Sequence, residues 1–291
     1  MPTLLPPALV PFLDLLRCPT CRACLYPEPG ALRCPAGHTF NIARQGYVSL
    51  LTGIRATSGD DAAMAQSRER FLQTGTYAPI RQALARLAAD ALRDQGTVVD
   101  VGCGTGYYLA GVLDRLPDAC GLGLDASVRA LRSSARAHVR AAAASWDVFR
   151  PFPLADGVAD VVLNVFAPRN PSEFHRVLCP TGRLIVVRPT ERHLAELRGS
   201  LPAMVTVDPA KEQRLRQTLG PFFEATGSQK VEYVASLTRQ EALDLLGMTP
   251  SARHLNRADI DDVLTPDQVT VSVLATTYQP LSTPPARGRQ G

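Results

Sequence analysis

Four of the seven cysteines crowd into residues 18–34, and His38 follows them, giving Cys18-x2-Cys21, twelve intervening residues, then Cys34-x3-His38. Thiolates and an imidazole at that spacing suit a single tetrahedral zinc held between two knuckles. Proline follows the first cysteine of each pair, as Pro19 and Pro35, and Gly37 offers a tight turn beside the second. Cys24 stands at the same spacing beyond Cys21 and competes with Cys18 as a ligand; the Cys-Pro pairing favours Cys18. Four protein ligands leave no open coordination position, so the zinc would be structural, supplying folding free energy rather than chemistry. The competing reading, a lone redox Cys-x-x-Cys, lacks the βαβ surroundings such a motif occupies.

The second constellation is Val98-Val99-Asp100-Val101-Gly102-Cys103-Gly104-Thr105-Gly106. A β-branched run ending in glycines and opening into a helix lets backbone approach a ligand closely. The spacing is G-x-G-x-G rather than the dinucleotide G-x-G-x-x-G, and Asp100 precedes its first glycine by two residues. An acid there suits a cationic amino group better than a pyrophosphate, which points to S-adenosylmethionine. Asp125 ends the next apolar run, Gly121-Leu122-Gly123-Leu124-Asp125, where a carboxylate can accept hydrogen bonds from both ribose hydroxyls. A helix N-cap is the other role open to it.

The elements that must position these residues are βα units. Ile80, Leu84, Leu87, Ala88 and Ala91 form a helical stripe, and four pairings follow: strand 97–101 with helix 107–116, strand 121–124 with helix 128–138, strand 160–166 with helix 172–178, and strand 183–187 with helix 192–201. Repetition of that kind implies an α/β fold with a mostly parallel sheet covered on both faces. Residues 211–223 read as a further helix, 230–237 and 269–278 as two late strands, and 62–72 as a helix in an otherwise weakly patterned connection. The expected division is an N-terminal extension at 1–17, a zinc ribbon at 18–42, a linker with a helix at 43–75, a methyltransferase domain at 76–280 and a disordered tail at 281–291.

Composition agrees with a folded chain: of 291 residues, 45% are apolar and 20% charged, which excludes collagen-like and disordered classes. No apolar run approaches the roughly 20 residues that span a bilayer, and no secretory leader is legible in the proline-broken first residues, so a cytoplasmic protein is expected. The net charge of +4 permits an RNA partner without demanding one. Lys211 and Lys230 are its only lysines.

With the knuckles, the glycine loop and Asn164-Val165-Phe166-Ala167-Pro168-Arg169-Asn170 all read, the chain resembles the RlmA family of 23S ribosomal RNA guanine-N1 methyltransferases. The likeness runs from about Cys18 to Tyr278 and follows the pattern of the tylosin-resistance branch, also in Ala43-Arg44-Gln45-Gly46-Tyr47-Val48. It implies a class I (Rossmann-like) methyltransferase, with the late strands forming the antiparallel end of a seven-stranded sheet. It implies cofactor contacts at Tyr77, Gly104, Thr105 and His193, beside Asp100, Gly102, Gly106 and Asp125. It also implies a 23S rRNA hairpin as partner and a macrolide-resistance phenotype, and leaves a homodimer open. Thr76 departs from a usual histidine, the segment at 148–154 is longer than its counterpart, and residues 1–17 are extra.

Guanine N1 carries a lactam proton that must leave before or during methyl transfer, so a base or a contact polarising O6 is required. Asn164 could hydrogen-bond the guanine edge, Arg169 could polarise O6 or hold a phosphate, and Asp147 is a conceivable base, but no catalytic base is assigned. Arg17, Arg22, Arg33, Arg44 and Tyr47 are candidates for RNA contact. Two further readings stand beside this one: a small-molecule methyltransferase with a structural ribbon, and a non-enzymatic RNA-binding protein on a vestigial cofactor fold. The intact Asp100, Gly102, Gly104, Gly106 and Asp125 argue against the latter.

Overall fold

Short stretches between and just after the knuckles pair as three antiparallel strands in a computed structural model that describes residues 5–51, 59–92, 95–200, 211–249 and 267–282. They are β1 (Tyr26–Glu28), β2 (Ala31–Arg33) and β3 (Thr39–Asn41), in that spatial order. Glu28 pairs with Ala31 across the turn Pro29-Gly30, where Gly30 takes φ +75°, a conformation glycine adopts without penalty.

Two helices follow. Asp61 caps α1 (Ala62–Gln73) by accepting from the Met64 N–H at 2.9 Å, and α2 (Ala78–Ala91) buries the stripe Ile80, Leu84 and Ala88. The alternating region then gives β4 (Gly96–Val101), α3 (Tyr107–Arg115), β5 (Ala119–Asp125), α4 (Val128–Ser134), β6 (Ala141–Ser145), β7 (Ala159–Val165), α5 (Pro171–Val177), β8 (Leu178–Pro189), α6 (Ala195–Ser200), α7 (Lys211–Leu219), β9 (Phe223–Ser236), α8 (Arg239–Gly247) and β10 (Gln268–Pro280).

The seven larger strands form one sheet ordered β6-β5-β4-β7-β8-β10-β9. The ladders from β6 to β8 are parallel, and β10 runs antiparallel to both β8 and β9. This is the α/β methyltransferase sheet expected, with its antiparallel end. Strand order reverses between β4 and β7, and the crevice beyond the carboxyl ends there is where open α/β sheets hold ligands. One face of the sheet packs Val98 and Leu163 with α2, α3, α8 and the end of α1. The other packs Val99, Val101 and Val162 with α5, α7, the ribbon and the N-terminal residues.

Several elements differ from expectation. Within the N-terminal extension, residues 7–12 form a 3-10 turn whose Leu9 and Phe12 are buried, with Leu16, Val48 and Leu50, in the core that holds Leu122, Ala142 and Phe152. The supposed connection at 43–50 reaches the sheet, since Val48 N–H donates to Ala143 O and Val48 O accepts from Ser145 N–H, each at 2.9 Å. The run Ala141-Ala142-Ala143-Ala144-Ser145, unassigned on sequence, is β6. Alanine favours helix, but all five residues are buried, and packing between layers overrides propensity. Helix α8, also unassigned, is marked by a capping box between Thr238 and Glu241.

Helix α4 stops at Ser134 and α7 at Leu219, earlier than expected, while Phe223 opens β9. The expected end of the helix at 192–201 and the tail beyond 282 lie outside the described residues. No helix among the described residues is long and apolar enough to cross a membrane.

Candidate cofactor site and metal centre

The two knuckles bring one ligand atom each from Cys18, Cys21, Cys34 and His38 within 4.8 Å of one another. His38 Nδ1 lies 3.2 Å from Cys34 Sγ and 3.6 Å from Cys18 Sγ, and Cys21 Sγ lies 3.6 Å from Cys34 Sγ. Zinc–sulfur bonds of about 2.3 Å in a tetrahedron set sulfurs roughly 3.8 Å apart, so the cluster fits zinc without rearrangement. Cys24 is exposed and stands outside it. Turn geometry explains the closure: Arg22 takes φ +65° with its N–H on Cys18 O at 2.8 Å, and Gly37 takes φ +88° with its N–H on Cys34 O at 2.9 Å. Burial raises the Cys34 thiol, but hydrogen bonds from His38 and the neighbouring thiols outweigh it and bring the group to about 6.

The ribbon is fastened to the larger sheet through residues 148–154. The Arg22 guanidinium donates to Phe152 O at 2.6 Å and Leu154 O at 2.9 Å, and Arg17 N–H to Pro153 O at 2.9 Å. From the other side, Glu173 accepts from Phe152 N–H at 2.6 Å while Arg176 reaches Phe152 O and Leu154 O. The long segment is thus the seat of the ribbon. Of the arginines expected to meet RNA, Arg22 is committed here, Arg17 turns back onto Asp14 O and Leu16 O, and Arg33 lies near Glu28 at 3.4 Å. Tyr47 is buried with Cys103, Leu131 and Ala143 and offers no stacking face. Arg44 is exposed.

At the crevice, the glycine loop is stitched to the end of β5. Gly102 and Cys103 N–H both donate to Leu124 O, and Gly104 N–H donates to Asp125 Oδ2 at 2.8 Å. Asp125 Oδ1 accepts from Ser127 N–H at 2.7 Å, and the N-cap of α4 is Ser127 rather than Asp125. Burial raises the Asp125 carboxyl against these two donors. Each oxygen keeps a lone pair for a further donor. Gly102 at φ +79° and Gly106 at φ +80° both need glycine, and a Cβ on Gly102 would fall 2.4 Å from that of Ala167.

Asp100 is only 1% exposed, and neither carboxylate oxygen has a hydrogen-bond partner among the described residues. Burial, and then the charge of Asp125, push its carboxyl up to about 8. An orphaned buried acid beneath a glycine cradle is what a cationic amino group would complete. Helix α1 lies over the same loop: Arg68 Cδ is 3.5 Å from the Cβ position of Gly104, and its guanidinium holds Asp60 at 2.6 Å and Met248 O at 2.8 Å. Thr105 is partly exposed on the loop. Sequence reading had no signal for Arg68 or Asp60.

Tyr77 and His193, 116 positions apart, come together with Tyr77 Oη 3.3 Å from His193 Nε2. His193 Nδ1 accepts from Ser272 N–H at 3.2 Å, which in a neutral ring places the proton on Nε2. Phe166 stacks on His193 at 6.0 Å between ring centroids and 19° between planes, and Phe71 meets Tyr77 edge-on. Phe166 was missed on sequence; its place beside the rings depends on a backbone at φ +55°.

On the acceptor side, Asn164 is fully buried and its Nδ2 donates to Pro168 O at 2.8 Å and Val101 O at 3.4 Å, bracing the loop after β7, while its Oδ1 has no partner among the described residues. Asp147 is 3% exposed and accepts from Phe149 N–H at 3.0 Å.

Comparison with known proteins agrees with this layout. Residues 16–53 match the zinc-ribbon family described as "RlmA, N-terminal", and residues 99–186 match a methyltransferase-domain family. A protein of Micromonospora griseorubida with the provisional name 23S rRNA (guanine-N(1)-)-methyltransferase is 46% identical, covering 92% of this chain and 98% of its own. The 23S rRNA (guanine(748)-N(1))-methyltransferase of Streptomyces fradiae is 43% identical, covering 91% of this chain and 97% of its own. A Bacillus subtilis (strain 168) protein, YxjB, provisionally named for the same activity, is 34% identical over 82% of this chain and 87% of its own.

Proposed function

The chain belongs to the family of 23S rRNA (guanine-N(1)-)-methyltransferases, and from that premise we propose that it methylates N1 of a guanine in a hairpin of 23S rRNA, using S-adenosylmethionine. The observation that carries the reading is Asp100, a buried carboxylate beneath the glycine loop with no hydrogen-bond partner among the described residues. The bound donor supplies a methyl group already activated on a sulfonium.

Asp100 would take the donor's ammonium group, Asp125 its ribose hydroxyls, and the backbone of Gly102, Gly104, Thr105 and Gly106 would line its path. Tyr77 and His193 would serve together, the Tyr77 hydroxyl, 3.3 Å from His193 Nε2, orienting the donor's polar end. Cys18, Cys21, Cys34 and His38 would hold one zinc, which fixes the knuckles that seat Arg22 on residues 152–154. Most of the rate enhancement asked of such a site is orientation of N1 toward the methyl carbon.

A cytoplasmic location and a macrolide-resistance phenotype of the tylosin type are parts of the same proposal, and the long exposed edge of β9 is the feature that supports a homodimer. Tritium transfer from labelled donor to a 23S fragment containing the guanine named for the Streptomyces fradiae relative tests the reading. RNA-dependent transfer is expected. Transfer to small molecules without RNA, or cofactor binding with no transfer, would favour the two alternatives.

A further inference from the structure

The loop after β7 carries a cation, Arg169, that no carboxylate among the described residues neutralises. Arg169 follows β7, its Nε is screened from solvent, and that atom has no hydrogen-bond partner among the described residues. Among the described residues no carboxylate pairs with its guanidinium. Burial, and after it the nearby cation Arg188, push Arg169 below the usual arginine range. Arg188 is itself spent on Glu212 and on Thr276 Oγ1 at 3.1 Å. A half-buried charge left so costs free energy that a neighbouring acid would have removed.

The loop that bears it is fixed at both ends. Asn164 holds Pro168 O, and Asn170 Nδ2 donates to Val148 O at 2.9 Å while its Oδ1 caps α5. Phe166 is held in the left-handed region, a strained backbone for a bulky residue, and Ala167 closes against Gly102. Arg169 therefore stands two residues from the point where the acceptor loop meets the donor loop, beyond the ends of β4 and β7.

We infer that the Arg169 guanidinium hydrogen-bonds O6 of the target guanine and stabilises the negative charge that gathers there as N1 loses its proton. The inference rests on the guanine-N1 reading above. As the N1 proton passes to water, the pair it leaves is shared with O6. N1 then bonds the methyl carbon, and the carbon–sulfur bond breaks with its electrons kept by sulfur. A fixed cation at O6 favours the deprotonated base before transfer. The guanidinium fork also matches O6 and N7 together, whereas adenine presents an amino donor in place of O6, so the same contact would select guanine.

The test compares full-length wild type with Arg169→Met and Arg169→Lys on the 23S fragment, reading kcat, KM, RNA affinity against salt, the pH–rate profile and S-adenosylmethionine affinity. Cofactor affinity within about twofold of wild type would show both variants folded. The expected result for Arg169→Met is a kcat lower by about 100- to 1000-fold, with the rate still climbing at alkaline pH where wild type has levelled, and partial recovery in Arg169→Lys. Weaker RNA binding with a salt slope lower by about one, at unchanged kcat and pH profile, would make Arg169 a phosphate contact and overturn the inference. Wild-type behaviour in every readout would overturn it equally. Failure of wild type to methylate any guanine would instead defeat the function on which it rests.

Discussion

The Cβ that any other residue would place on Gly102 falls 2.4 Å from the Cβ of Ala167, so the loop that receives the donor and the loop that faces the acceptor touch directly. Gly102 also takes φ +79°, which adds strain to the clash. Gly102→Ala should push the two loops apart and weaken S-adenosylmethionine binding by about tenfold or more, equivalent to roughly 1.4 kcal/mol. Calorimetry on the purified variant checks this, and unchanged affinity would mean the loop yields freely.

Asp100 makes cofactor binding and stability depend on pH. Its folded-state carboxyl at about 8 stands above its unfolded value of 3.8, so the unbound fold holds a proton that the unfolded chain has lost. The stability this contributes is fully present below pH 4 and is lost as pH rises through about 8. The unbound protein should therefore melt at lower temperature at pH 8.5 than at pH 6, and Asp100→Asn should flatten that difference. An ammonium group beside Asp100 favours the carboxylate, so binding at pH 7 should release a proton. Binding enthalpies in phosphate and Tris, which differ in ionisation enthalpy, read that release, and Asp100→Asn should abolish it.

The metal centre separates its ligands from the nearby spare thiol. Purified protein should contain about one zinc per chain, Cys34→Ala should lose it, and Cys24→Ser should keep it. Retention by the first variant or loss by the second contradicts the cluster of Cys18, Cys21, Cys34 and His38.

Phe12 ties the N-terminal residues to the stability of the whole chain. It is fully buried in one core with Leu122 and Phe152, and Phe12→Ala should cost about 3–5 kcal/mol. Urea unfolding followed by zinc release and by loss of cofactor binding should give one shared transition. Two separated transitions would show the ribbon to be independent. Cutting the chain near Gly59 would strip Leu9, Phe12, Leu16, Val48 and Leu50 from the core they share with the sheet.

What could be read from sequence was whatever the physics keeps local. The knuckles, the glycine loop and the βα rhythm are each set by residues close along the chain, and they lie where expected. Tyr77 and His193 were reachable only through family likeness, because nothing local says that residues 116 positions apart will meet. Strand β6 was hidden because four alanines carry no strand signal until layers close on both sides. The 148–154 segment was legible as an insertion, but its use as a seat for Arg22 depends on a contact spanning 130 positions. Asn164 was legible as a polar residue at a strand end, but its burial and its hydrogen bond to Pro168 O are tertiary facts.

The most direct test of the central claim is to incubate the full-length protein, S-adenosylmethionine and unmodified 23S rRNA, then digest the RNA and locate the added methyl by mass spectrometry and by reverse-transcription stops. The account predicts a single 1-methylguanine in one hairpin, absent without enzyme and sharply reduced with Asp100→Asn. A methyl at any other atom or base, or no methyl on RNA while the cofactor is bound, would contradict it.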